Sequence, residues 1–234
     1  MNLKIAKFFN CLINPKFYKS YYYGVSPLFE LKNIIKNIEK CNSLIDVGSN
    51  KGQFSILFRS FFKYCQIYSF EPQGSQLLIQ KKILGKKNIK YYRLGISNKI
   101  CKKKFYITKR KDSSSIHFPK KLYNKSYEII HTETVNMITL DSFFKKQKLK
   151  KPIVLKIDIQ GHEFEALKGA GKFLNSVEYL IIEISLQQIY ENQISSQKIE
   201  NLLSKYSFFK ILETNISYYK NKILQKDVLF KKIR

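Results

Sequence analysis

A chain of 234 residues with 44% hydrophobic side chains can bury one generous core without disulfides or metals, which excludes the disordered and the cysteine-stapled classes. Its four cysteines, Cys11, Cys41, Cys65 and Cys101, have neither the paired spacing of a zinc site nor the density of a secreted scaffold, and read as free thiols of a reducing cytoplasm. The formal charge of +26 points to a polyanionic partner, nucleic acid or an anionic membrane face, or else to background composition, and lysines scattered over the whole chain favour the second reading.

The stretch Leu3 to Ile13 is apolar in places but carries Lys4, Lys7 and Asn10, stops at Pro15 and is too short to span a bilayer. It lacks a small-residue cleavage site. The expectation is a cytoplasmic protein with at most a peripheral position on the inner face of a membrane. Leu31, Ile34, Ile35 and Ile38 recur at helical spacing within Leu28 to Lys40, after Pro27. Residues 1–41 thus read as a helical extension packed on a domain formed by 42–234.

Ser43 to Gly48 is a short apolar strand that runs through Ser49-Asn50-Lys51-Gly52 into the helical pattern of Phe54, Leu57, Phe58 and Phe61. A second strand, Gln66 to Phe70, ends in Glu71-Pro72, and a helix from about Ser75 to Leu84 leads to a third strand around Ile89 to Ile96. Two successive strand-helix units imply a parallel sheet. Residues 99–140 interrupt this rhythm with two strands, Lys104 to Thr108 and Glu133 to Ile138, and read as an insertion or lid. After the lysine-rich Lys145 to Lys151, Pro152 to Asp158 is a buried strand, followed by a helix over Glu163 to Leu174. A strand from Glu178 to Ser185, a helix from Gln197 to Lys205 and two antiparallel edge strands, Phe208 to Leu212 and Val228 to Lys231, complete the pattern.

In an open parallel sheet a ligand lies beyond the carboxyl ends of the strands, where the strand order reverses. Gly48 and Gly52 let the first turn approach a ligand closely, and the following helix offers free N–H groups, with Ser55 in its first turn. That spacing alone fits an ordinary turn equally well. Glu71, 19 residues after Gly52, changes the balance, because an acid at the end of the second strand accepts hydrogen bonds from ribose hydroxyls. The turn has neither the glycine fingerprint of dinucleotide sites nor the Gly-Lys-Ser/Thr of a phosphate loop, so S-adenosylmethionine, bound across Asp46 to Gly52 and Glu71, fits better.

Lys156 and Asp158 alternate onto one face of a strand covered by helices. They read either as an ion pair closing the core or as a pair at the strand tip, with Asp158 as general base and Lys156 orienting it or stabilising oxyanion charge. Glu183 and Ser185 reach the comparable end of the next strand. His162 is the alternative base, or else caps its helix, contacts substrate or faces solvent. His162-Glu163 has no second histidine at helical spacing, and only His117 and His131 occur elsewhere, so no metal site is expected.

With these residues placed, the chain resembles the FkbM family of methyltransferases over nearly its full length. The resemblance rests on Asn14-Pro15 with Tyr23-Gly24-Val25 and Glu30, on Ile45 to Phe54, on Tyr68 to Pro72 and on Asp112 to Ser115. It continues through Leu155 to Glu163, Leu167 to Ala170, Glu183 to Ser185 with Tyr190-Glu191, and Gln225 to Phe230. It implies an α/β, Rossmann-like class I methyltransferase fold, a mostly parallel seven-stranded sheet with helices on both faces. It also implies S-adenosylmethionine as donor and O-methylation of a sugar or glycan-related hydroxyl. Gly95 stands where similar sequences have alanine, and Asn98, the residue expected near the adenine, where they carry aspartate. Two rivals keep the fold: an RNA methyltransferase, suggested by the charge and by Tyr21 to Tyr23 among lysines, and a non-catalytic adaptor, against which the intact loop and Glu71 argue.

Overall fold

The computed structural model describes residues 15–120 and 127–233; the readings of Leu3 to Ile13 and of Cys11 lie outside the described residues. Ahead of the sheet come two short helices, α1 (Tyr18–Tyr22) and α2 (Lys32–Lys36). The first half of the sheet follows as β1 (Ser43–Val47), α3 (Gln53–Phe61), β2 (Gln66–Phe70), α4 (Gly74–Leu84) and β3 (Ile89–Tyr92). A smaller unit holds β4 (Gly95–Ile96), β5 (Cys101–Thr108) and β6 (Ile129–Ile138), and the chain then returns through α5 (Leu140–Phe144), β7 (Ile153–Ile157) and α6 (Glu163–Lys168). β8 (Tyr179–Ser185), α7 (Ser196–Lys205), β9 (Phe208–Tyr219) and β10 (Lys222–Lys232) close it.

The main sheet runs β3-β2-β1-β7-β8-β10-β9. Its first five strands are parallel, and β10 enters antiparallel to both β8 and β9. Order therefore reverses between β1 and β7, whose tips, Val47 and Ile157, lie side by side. Side chains alternate between two cores, as the pleat requires. Ile45, Val47, Leu155, Ile157, Leu180 and Ile182 face one. Leu44, Val154 and Ile181 face the other, which Ile34 and Ile35 of α2 and Phe54, Leu57 and Phe58 of α3 complete. Asp46 and Lys156, paired in register, hold the last inward place on that second face, where a strand buried on both sides otherwise carries only apolar residues.

Several elements depart from the sequence reading. The third strand divides: after Tyr92 the chain leaves the main sheet, and Gly95–Ile96 pairs with Met137 and Ile138 instead. The Met137 side chain fills the space a Cβ on Gly95 would take, so the insertion forms its own three-stranded sheet, β4-β6-β5. The helix from Glu163 stops at Lys168, and Gly169 follows it where a Cβ would strike the carbonyl oxygen of Ser97. α5, unexpected from the pattern, is started by Thr139, whose Oγ1 accepts from the Ser142 N–H at 3.0 Å. The two edge strands are far longer than read and meet at Lys220 and Asn221, both at positive φ, as a tight hairpin turn needs. Among the described residues no helix is long and apolar enough to cross a membrane.

Candidate active site

The tips of β1 and β7 open into a cleft that takes its shape from the first turn. Gly48 has φ +75°, and a Cβ there would collide with the carbonyl of Asp158, so glycine is what lets the two loops meet. The Gly48 and Ser49 N–H groups both donate to Phe70 O, at 3.0 and 3.1 Å. Asn50, itself left-handed at φ 48°, turns its N–H onto Glu71 Oε2 at 2.9 Å, while Gln73 N–H donates to Oε1 at 2.7 Å. Burial outweighs these two donors and pushes the Glu71 carboxyl up to about 7.

Beneath the turn lies a charged cluster. Lys156 Nζ is 3.2 Å from Asp158 Oδ2, 3.7 Å from Asp46 Oδ1 and donates to Gly48 O at 3.3 Å. Burial works against its charge, but the carboxylates of Asp158 and Asp46 prevail and raise its pKa. Asp46 accepts from Ser55 Oγ at 2.6 Å through its other oxygen. Burial still raises its pKa.

The far wall comes from β8, β10 and the loop after β7. Gln160, at φ 57°, points Nε2 between Asp158 Oδ1 (2.9 Å) and Glu183 Oε2 (3.1 Å). Its Oε1 lies 2.9 Å from the hydroxyl of the fully buried Tyr190, which also reaches Ser113 O at 2.8 Å. Gln225 Nε2 donates to Glu183 Oε2 at 2.7 Å, and Asn215 Nδ2 to Asp227 Oδ2 at 2.7 Å. Glu183 and Asp227 face each other in register across β8 and β10. Burial, then the charges of Asp158 and Asp227, raise the Glu183 pKa well above the carboxylate range. Asp227 is pushed up to about 7 by burial and then by Asp158.

Glu30, Glu71, Asp112, Asp158, Glu183 and Asp227 line this cleft against three cationic residues, Arg110, Lys111 and Lys156. Arg110 is already paired with Asp112 at 2.7 Å. Carboxyl groups thus outnumber cations in the cleft of a strongly basic protein. A smaller apolar pocket, walled by Phe70, Leu94, Ile96, Ile116 and Met137, adjoins the cleft and shares Gly48, Pro72, Phe105 and Ile159 with it.

Of the residues singled out from sequence, Gly48, Asn50, Glu71, Lys156 and Asp158 line the cleft. Asp46 and Ser55 support it from behind, and Gly52 packs against Gln80. Asn98 is exposed and lines neither cavity; its Oδ1 is 3.4 Å from Ser97 Oγ. His162 belongs to the apolar pocket rather than the cleft. It is buried instead of facing solvent, and its side chain makes no cap bond to α6. Its Nε2 is 2.9 Å from Ser97 Oγ and its Nδ1 3.0 Å from His117 Nε2. Burial holds both imidazoles neutral, at about 2 for His162 and about 4 for His117.

Sequence reasoning did not single out Gln160, Tyr190, Asn215 or Asp227 as site residues. One signal was available for Asp227, an acid directly before the buried run Val228 to Phe230. Spacing along the chain likewise gives no metal-ligand cluster, yet the fold gathers His117, His162 and Glu165.

The profile of the methyltransferase FkbM domain matches residues 46–210. The chain belongs to this family. The matched span holds the Glu71 and Lys156–Asp158 parts of the cleft, whereas Glu30, Asn215, Gln225 and Asp227 fall outside it. The chain is 26% identical over 160 residues to the hexuronic acid methyltransferase AglP of Haloferax volcanii, covering 66% of this chain and 60% of that protein. It is 24% identical over 187 residues to the 2-O-methyltransferase NoeI of Sinorhizobium fredii, covering 75% and 76%. The fold is that of class I methyltransferases: TehB of Haemophilus influenzae superposes with a TM-score of 0.54 at 8% identity, covering 93% of this chain and 66% of that one.

Proposed function

We propose that this FkbM domain transfers a methyl group from S-adenosylmethionine to a hydroxyl of a sugar or glycan-related acceptor. The observation that carries the reading is the junction of two unlike cavities. A cleft of carboxylates and amides opens, at Gly48, Pro72, Phe105 and Ile159, into an apolar pocket the character of which suits an adenine ring. The residues fit the donor. A carboxylate has about four acceptor positions, so Glu71 keeps two for ribose hydroxyls after serving the Asn50 and Gln73 N–H groups. Arg110 and Lys156 are already paired with Asp112 and Asp158, which leaves little cationic charge for a pyrophosphate. Bound there, the donor supplies an electrophilic methyl on a positively charged sulfur.

In this reading Asp158 takes the proton of the acceptor hydroxyl. Lys156 on one oxygen and Gln160 on the other fix its carboxylate in place. Glu183 and Asp227, held toward their protonated forms, donate as well as accept, which is what recognition of several hydroxyls requires. The hexuronic acid acceptor named for one relative supports a sugar as the substrate class.

Tyr21 and Tyr22 are exposed, as an RNA-stacking surface would need. The cations of the cleft, Arg110 and Lys156, are already paired with Asp112 and Asp158, so RNA phosphates find few partners there. The test is calorimetric titration with S-adenosylmethionine, followed by transfer of labelled methyl to a panel of sugars and to total RNA. Sugar labelling with donor binding is expected. Absence of donor binding would favour an adaptor, and labelling of RNA alone an RNA enzyme; either sinks the proposal.

A further inference from the structure

At the apolar pocket, which His162 helps to line, the fold brings together three donors to which the methyl-transfer reading gives no chemical role. His162 immediately precedes α6, Glu165 follows one turn later on the same face, and His117 arrives from the insertion. Glu165 Oε2 is 3.4 Å and His117 Nε2 3.0 Å from His162 Nδ1, and one ligand atom from each residue lies within 4.8 Å of the others. Two imidazole nitrogens and a carboxylate oxygen make the donor set of a borderline divalent ion such as zinc.

Hydrogen bonding inside the protein leaves this group incomplete. Glu165 Oε2 is buried and accepts no hydrogen bond. With both rings neutral, the His117–His162 contact holds a single proton. The opposite nitrogen of His162 is tied to Ser97 Oγ, the kind of outer contact that orients a metal-bound histidine. Lys103 is the cation whose charge reaches all three groups, and neither it nor Lys168 forms an ion pair with Glu165 among the described residues.

We propose that His117, His162 and Glu165 form a binding site for a divalent transition metal of the zinc type, outside the catalytic cleft. Its role is structural. It fastens the insertion to α6 and so steadies Ser113 and Ser114, which line the cleft just upstream of His117. Because Glu165 is partly exposed, a water completes the coordination from the solvent side.

The whole chain, stripped with a chelator and dialysed, is titrated with zinc chloride by calorimetry and melted with and without the ion. Uptake of about one zinc per chain and a higher melting temperature are expected. His117→Asn and Glu165→Gln, both at partly exposed positions, should weaken uptake by more than the roughly 10- to 100-fold that loss of an outer-shell partner costs. Melting in chelator checks that both variants fold, and His131→Asn, at an exposed position, should bind as the parent does. A parent chain that takes up no zinc overturns the proposal. So does undiminished uptake in a folded His117→Asn, or loss of uptake in His131→Asn.

Discussion

The cleft and the chain as a whole differ in the charged side chains they hold. Lysine and arginine outnumber acids 43 to 17 over the chain, yet carboxylates outnumber cations in the lining of the cleft. Net charge describes the long-range field, which governs solubility and non-specific encounter. The chemistry of a site is decided by the few groups held out of water, where neighbours a few ångströms away dominate. A basic protein is therefore no guide to an anionic substrate.

The sharpest way to break this comparison is Asp158→Asn. Lys156 keeps Asp46 and Gly48 O as partners, so the folded population should survive while transfer slows by roughly two to four orders of magnitude. Thermal melting and single-turnover rates on the same variant decide it: early unfolding, or transfer at the parent rate, refutes the catalytic role. Lys156→Met attacks the buried side of the cluster. It strands Asp46 beneath the sheet and should cost about 3–5 kcal/mol in denaturant unfolding. A loss below about 1 kcal/mol would mean that Asp46 is already neutral.

Glu71→Ala should weaken donor binding by about 10- to 100-fold, the value of hydrogen bonds to a charged group, as read by calorimetry. Unchanged affinity in a folded variant removes Glu71 from the site. The smallest expected effect tests the electrostatics alone. Asp227 is raised from 3.8 to about 7, so the native state keeps a proton that the unfolded chain releases. Its contribution to stability is complete below about pH 4 and is lost as pH rises to about 7. Asp227→Asn should accordingly melt like the parent at pH 4 and higher than the parent at pH 8, by about 2–4 °C for each kcal/mol of strain relieved. Identical curves at both pH values would show that burial does not hold this proton.

What the sequence reveals follows from where each interaction sits. β1, β2 and β7 are legible because a strand buried on both faces must be a short apolar run, and the charges at the tip of β7 stand out against that run. Gly48, Glu71 and Asp158 are legible for the same reason, each being a local exception at a strand end. The split of β3 and β4 is not, because it depends on Met137 lying where Gly95 has no side chain. Nor are Gln160 with Tyr190, or His117 with His162, which are 30 and 45 residues apart along the chain and meet only through the fold. Helix spacing finds partners three and four residues away, and these pairs have no such signature.

The placement of β10 has a consequence for how the protein is made. Until β10 arrives, β8 is an open edge whose N–H and C=O groups have no neighbour on that side, and β10 is synthesised only after α7 and β9. A folding order that completed β8 before β10 would leave a five-stranded parallel sheet with an unguarded border and half a cleft. Such a border invites pairing with other chains. Docking of β10 closes that border and in the same step brings in the wall bearing Gln225 and Asp227.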